Sequence, residues 1–219
     1  NADIAPVFSP DGQWIAFQNK IESNTEIYRI RPDGKDLTNL SQNAGRDVYP
    51  MFSPDGEQIA FASNRDDNYG GYNLFVMDAN GGSQRVIYSD KLGMSVQPAW
   101  SPDGREVVFA NDKEDGATGN FEIFKVGLDG LQVATRLTFR RRADGHASFS
   151  PDGKQIVFSS NADGNAEIYL MNFDGTGLIR VTRNPADDTT PRFSPDGRRI
   201  IFSSNRGGKF ALYEVNVRD

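Results

Sequence analysis

The sequence predicts an all-β protein, a β-propeller of four-stranded antiparallel blades, and three observations carry that prediction. The first is an aromatic-Ser-Pro-Asp-Gly stretch that recurs five times, at Phe8–Gly12, Phe52–Gly56, Trp100–Gly104, Phe149–Gly153 and Phe193–Gly197. The second is an apolar strand at a constant distance beyond each copy. The third is the spacing, since successive turn glycines are 44, 48, 49 and 44 residues apart, the period of a propeller blade.

Each element follows from local chemistry. In the turn, Pro sets φ for the second position, Asp suits the third, and Gly accepts the left-handed conformation that opens a bulged hairpin. The incoming residues form the innermost strand A. Strand B follows at Ile15/Phe17, Ile59/Phe61, Val107/Phe109, Ile156/Phe158 and Ile200/Phe202, with apolar residues between, so both of its faces are expected to be buried. Strand C lies at Ile27–Ile30, Leu74–Met77, Ile123–Val126, Ile168–Met171 and Leu212–Val215. A second turn at Asp33-Gly34, Asn80-Gly81, Asp129-Gly130 and Asp174-Gly175 leads to a short strand D near 37–41, 84–88, 134–138 and 178–182.

The whole chain, 1–219, is therefore one propeller domain with repeats at about 4–41, 48–88, 96–138, 146–182 and 190–217. The fifth repeat lacks its outer strand, because Arg218 stands where other repeats carry the second turn. The extra residues of repeats 2 and 3 fall in their B–C loops, Asn64 to Tyr72 and Asn111 to Asn120.

These residues resemble the TolB-like propeller repeats. Beside the Ser-Pro-Asp-Gly turns, Ser63-Asn64-Arg65, Ser204-Asn205-Arg206, Glu26-Ile27-Tyr28 and Glu167-Ile168-Tyr169 follow that family's pattern across essentially the whole chain. The resemblance implies six blades, so the chain reads either as five blades with a three-stranded last one or as part of a longer ring. It is specific for fold rather than function, because such repeats occur in a periplasmic translocation protein, in peptidase lid domains and in surface proteins.

Composition narrows the function classes. A net charge of −6, with 24 basic residues spread through every repeat, gives no nucleic-acid footprint. The run Arg140-Arg141-Arg142 is short, flanked by Asp144, and reads as a solvated loop. The absence of Cys removes disulfides, thiol nucleophiles and cysteine metal sites. No apolar run is long enough to span a membrane as a helix. The chain starts at Asn1 with no signal-like segment, which fits a mature exported protein, periplasmic or extracellular, or a segment of a larger chain or assembly.

Binding is expected on one rim. The A–B and C–D turns share a uniform rim, whereas the B–C and D–A connections share a variable one. There the lengthened loops offer Asn64, Arg65, Asp66, Asp67, Tyr69, Tyr72, Asp112, Glu114 and Asp115 to a protein or peptide partner, with Tyr supplying contact area at low entropy cost. Residues just before each strand A, namely Ala5, Tyr49, Gln97, His146 and Thr190, ring the channel mouth on the same side.

No catalytic residue is assigned. His146 is the sole histidine and no G-x-S-x-G occurs, so neither a serine triad nor a histidine-ligated metal is indicated. Asn161, Asp163, Asn165 and Glu167 alternate oxygen ligands as calcium loops do, but without the spacing and closing Glu of an EF-hand, and Asp112, Glu114 and Asp115 are a second such group. No cofactor is expected. The leading reading is a non-catalytic protein- or peptide-binding scaffold of the cell envelope. The alternatives are a propeller enzyme of lactonase or sugar-lyase type and the accessory propeller of a larger peptidase.

Overall fold

The computed structural model describes residues 4–21, 24–66, 71–90, 93–113 and 119–217. Among them, nineteen strands form five antiparallel sheets in which neighbours in sequence are neighbours in space. The first blade holds β1 (Ile4–Phe8), β2 (Ile15–Ile21), β3 (Asn24–Ile30) and β4 (Thr38–Asn39). The second holds β5 (Asp47–Phe52), β6 (Gln58–Ser63), β7 (Asn73–Asp78) and β8 (Arg85–Tyr88). The third holds β9 (Ser95–Trp100), β10 (Glu106–Asn111), β11 (Glu122–Gly127) and β12 (Ala134–Arg136). The fourth holds β13 (Asp144–Phe149), β14 (Gln155–Ser160), β15 (Glu167–Asn172) and β16 (Ile179–Arg180). The fifth has three strands, β17 (Asp188–Phe193), β18 (Arg199–Ser204) and β19 (Ala211–Asn216).

The Ser-Pro-Asp-Gly turns close identically in all five blades. In the first, Gly12 N donates to Ser9 O at 2.8 Å, while the Ser9 hydroxyl donates to Asp11 and accepts from Trp14 N at 2.9 Å. The five turn glycines have φ between 69° and 76°, a region that costs a residue with a Cβ. Adjacent turns also nest: a Cβ on Gly56 would meet the Pro10 ring at 3.4 Å, and one on Gly197 would meet Pro151 at 3.6 Å. The Asp residues of these turns are thus turn formers, as their spacing implies.

Strand B is buried on both faces in the middle blades. Ile59, Ala60 and Phe61 of β6 and Ile156, Val157 and Phe158 of β14 are fully inaccessible, because each sheet is covered by a sheet on either side. Directly paired residues of strands B and C stack one aromatic ring on another in every blade: Phe17 on Tyr28, Phe61 on Phe75, Phe109 on Phe124, Phe158 on Tyr169 and Phe202 on Tyr213, with centroids 5.7–6.2 Å apart. Such pairs contribute beyond the area they bury.

Strand D is shorter in most blades than the apolar pattern predicts. The ladder stops where a hydroxyl replaces a carbonyl, with Ser41, Thr138 and Thr182 accepting from Ile27 N, Ile123 N and Ile168 N at 2.9 Å. The end blades expose apolar side chains, Ile4 and Phe8 on β1 and Phe210 and Leu212 at β19, because each has a neighbouring blade on one side. The inner strands pack in the order β1, β5, β9, β13 and β17 about a shared axis, while β17 and β1 do not pack together as these neighbours do among the described residues.

Candidate functional site at the channel mouth

One backbone feature is repeated around the axis. Each strand A slips register against its strand B by one residue, at Val48/Met51 in β5 and Gly145/Ser148 in β13, for example. The bulge holds a non-glycine residue with positive φ in all five blades: Ala5 (52°), Tyr49 (57°), Gln97 (57°), His146 (55°) and Thr190 (52°). These are the residues placed at the channel mouth from sequence. A left-handed non-glycine residue is strained, and bulges of this kind re-aim side chains.

Two cavities meet at this ring. The wider, about 480 Å³, opens on the rim of the B–C and D–A connections and is lined by Tyr49, Tyr72, Gln97, Asp144, His146 and Asn161 among others. The other, about 420 Å³, continues along the axis between the inner strands and shares Tyr49, Gln97 and His146 with the first. At the opposite end the five turn prolines Pro10, Pro54, Pro102, Pro151 and Pro195 surround a third opening. Uniform turns and variable loops therefore sit at opposite ends of the channel.

His146 is held on both sides. Its Nε2 is 3.1 Å from the Gln97 amide nitrogen, its Nδ1 is 3.2 Å from the Ser159 hydroxyl, and its backbone N–H donates to Gln97 Oε1 at 2.8 Å. Burial, and then the charge of Arg192, lower its pKa below the ordinary histidine value, so the imidazole is neutral at pH 7.

Behind this mouth a polar latch ties the start of strand A to the B–C loop of its own blade and to the connection that enters the blade. At the start of β5, Asp47 accepts both oxygens' bonds from Arg65 at 3.1 Å and a further bond from Asn43. At the start of β17, Asp188 accepts from Arg206 at 3.0 and 2.8 Å and from Asn184 at 2.8 Å. Each arginine also lies over the stacked ring pair of its blade, Arg65 over Phe61 and Phe75 and Arg206 over Phe202 and Tyr213. Burial works to raise the Asp188 pKa, but bonds from Ser204, Arg206, Asn184 and Thr182 bring it below the ordinary value.

The fourth blade breaks the pattern. Asp144 occupies the same register as Asp47 and Asp188, but Ala162 stands at the arginine position and Arg140 at the asparagine position. Arg140 covers the Tyr169 ring at 4.2 Å and bonds to the Tyr169 hydroxyl and to Asp163. Asp144 is 1% exposed, and neither of its carboxylate oxygens has a hydrogen-bond partner among the described residues. The Thr138 hydroxyl nearby gives its proton to Glu122. Burial pushes the Asp144 pKa up to about 6, against the opposing pull of the neighbouring Ser160 and Thr138 hydroxyls.

The loop residues selected from sequence divide. Asp66 is exposed on the rim, Asn64 is half-buried and exchanges bonds with the Arg46 backbone, and Tyr72 lines the cavity. Two placements differ from the rim reading. Arg65 is turned inward onto Asp47 and its ring pair, and Asp112 is fully buried, accepting from Met94 N at 2.7 Å, because both belong to the latch layer beneath the loop tips. Asp67, Tyr69, Glu114 and Asp115 lie outside the described residues.

The oxygen-rich loop of the fourth blade is engaged by cations of the protein itself. Asp163 pairs with Arg180 at 3.0 Å and Arg140 at 3.5 Å, and Glu167 pairs with Arg180 at 2.7 Å. Asn165 donates to the backbone carbonyls of Asn184 and Ala186, and Asn161 lines the rim cavity. Among the described residues, no group of three or more His, Asp or Glu side chains forms a cluster able to hold a metal ion.

Sequence reasoning passed over Asp144 and Arg192, the latter on strand A facing the axial cavity. The signal for Asp144 was present, since an Asp three residues before the strand A proline or its equivalent recurs at 47, 144 and 188 while the matching arginine is absent only in the fourth repeat of these three.

The comparisons agree with this geometry. The family model for the TolB beta propeller domain matches residues 1–85 and 142–219, well over half of the chain. The Tol-Pal system protein TolB of Geobacter sulfurreducens is 36% identical over 73 residues, 33% of this chain. An uncharacterized protein of Agrobacterium fabrum is 32% identical over 71 residues, 32% of this chain, and the matched stretches span only 24% of that relative's length and 16% of the Geobacter protein's. Among solved structures, a candidate TolB of Agrobacterium tumefaciens superposes with a TM-score of 0.82 at 23% identity over 99% of this chain and 77% of its own. An oligogalacturonate lyase in complex with manganese reaches 0.73 at 18% identity, over 95% of this chain and 61% of its own. Both structural likenesses concern the fold. By its turns, its blades and the extent of the family match, the chain belongs to the TolB beta propeller domain family.

Proposed function

We propose that this chain is a non-catalytic protein- or peptide-binding propeller of the cell envelope, acting in the periplasm or outside the cell, whose partner docks on the rim bearing the B–C and D–A connections. The observation that carries the reading is the cavity of about 480 Å³ at that rim, floored by Tyr49, Gln97 and His146, three of the five strained residues of the inner strands, and walled by Tyr72 and Phe121. A concave, mostly apolar surface with a few convergent polar groups is what a docking peptide needs. The relationship to a Tol-Pal system protein supports an envelope setting. A lactonase or sugar lyase calls for several acids or imidazoles converging on the channel, whereas the two cavities at its mouth carry, among the described residues, one imidazole, His146, already bonded to Gln97 and Ser159, and one acid, the buried Asp144.

The chain has no cysteine, so a single introduced thiol can be labelled uniquely. Thr190→Cys carrying a bulky maleimide should block capture of partners from envelope extract, while Lys154→Cys, in the turn rim, should leave capture intact when labelled. Equal capture by both labelled proteins would remove the rim from the docking surface.

A further inference from the structure

The position just before the aromatic residue of each strand A faces the axial channel and is equivalent in all five blades. It pairs in register with strand B as Val7 with Ala16, Met51 with Ala60, Ala99 with Val108, Ser148 with Val157 and Arg192 with Ile201. Four of the five are small or apolar. The fifth is an arginine, and it is the only charged side chain among the described residues lining either of the two openings along the axis.

Arg192 has no carboxylate partner among the described residues. One nitrogen, Nη1, donates to Pro191 O at 2.9 Å and to His146 O at 3.4 Å, both uncharged acceptors. Unlike Arg65, Arg180 and Arg206, each paired with a fully buried acid, it remains open to the channel while prolines and apolar strand residues surround it. A guanidinium without an acidic partner among the described residues offers a planar fork of donors to a carboxylate entering this passage, and charge-assisted bonds of that geometry are strong.

We propose that Arg192 is a carboxylate receptor inside the channel, which takes an acidic side chain or the terminal carboxylate of the partner peptide docked at the rim. This rests on the reading above that the rim binds a peptide. Three features favour a carboxylate carried by a peptide. The axial cavity, about 420 Å³, is contiguous with the rim cavity through Tyr49, Gln97 and His146. Gln97 and Thr190 add side-chain hydrogen-bonding groups along the way. The proline and alanine walls, Pro6, Pro50, Pro98 and Ala147, suit an extended chain with little side-chain bulk.

His146 supplies the reporter, because it is the sole histidine and its backbone carbonyl touches Arg192. N-acetyl-glycylglycine, with one carboxylate, and its C-terminal amide are titrated against the whole chain while the His146 Cε1–H resonance is followed by NMR. The acid should give a saturable shift and the amide none. Arg192→Gln should weaken the acid by about tenfold or more, and Arg192→Lys should retain part of the affinity. The same response from Arg192→Gln, or none from the wild type up to roughly 0.1 M acid, overturns the receptor. Chloride binding as tightly as the acid overturns its preference for carboxylate. If the acid binds but Arg192→Gln captures the envelope partner as well as wild type, assignment of the carboxylate to that partner is overturned. If capture depends on the rim yet the acid never binds, the docking reading stands without this receptor.

Discussion

Arg206 donates to both carboxylate oxygens of Asp188, at 3.0 and 2.8 Å, while lying over the rings of Phe202 and Tyr213. Arg65 does the same for Asp47 in the second blade, and Ala162 leaves Asp144 without that partner in the fourth. The same fold thus contains two completed latches and one that lacks both of its usual donors.

Restoring the latch should stabilise the protein. The double variant Ala162→Arg with Arg140→Asn recreates the donors found around Asp47 and Asp188, and hydrogen bonds to a charged group contribute about 1.5–3 kcal/mol each when well made. A melting temperature several degrees above wild type at pH 7.5 is expected. A lower one would mean that the fourth blade cannot seat a guanidinium over its ring pair.

The uncompensated Asp144 should make stability depend on pH. Its pKa is raised from 3.8 to about 6 by burial, so between these values the folded state holds a proton that the unfolded state has lost. Stability is fully present below pH 4 as far as this group is concerned and falls as pH rises toward 6. The full shift corresponds to roughly 3 kcal/mol. Asp144→Asn should therefore be more stable than wild type at pH 7.5, with the difference shrinking toward pH 4, as read from denaturant midpoints at each pH.

Breaking a completed latch should cost more than any rim substitution. Arg65→Ala leaves the fully buried Asp47 without its cation and with only the Asn43 bond, and removing one partner of a buried pair costs about 3–5 kcal/mol. Urea denaturation should move accordingly, and Asp66→Ala, on the exposed loop beside it, should not.

Removing the charge of Arg192 should change the titration of His146. Burial and Arg192 both lower the histidine pKa, so Arg192→Gln removes the second cause and raises the midpoint toward, but not to, the ordinary value. The Cε1–H shift against pH measures it, and an unchanged midpoint would detach the two residues electrostatically.

Calcium should leave the protein's melting temperature unchanged up to millimolar concentrations. Asp163 and Glu167 are already held by Arg180 at 3.0 and 2.7 Å, and an ion would have to displace that guanidinium. A rise in Tm on adding calcium would show that it does.

Much of this molecule could be read from local chemistry. Pro, Asp and Gly at fixed offsets impose the same turn wherever they occur, and the Ile/Phe alternation that follows imposes a strand, so five Ser-Pro-Asp-Gly copies lead to five blades and to a variable rim opposite the uniform one. The mouth residues Tyr49, Gln97, His146 and Thr190 were legible for the same reason, since each sits at one fixed distance before a recurring turn. Burial and partnership were not legible, because they depend on residues far apart in the chain that meet only when blades stack. Arg65 has the composition of a loop tip, but Asp47, 18 residues earlier, draws it inward. Arg192 reads as an ordinary exposed strand residue, and only the ring of Val7, Met51, Ala99 and Ser148 around the axis shows that it opens into the channel with no acidic partner among the described residues.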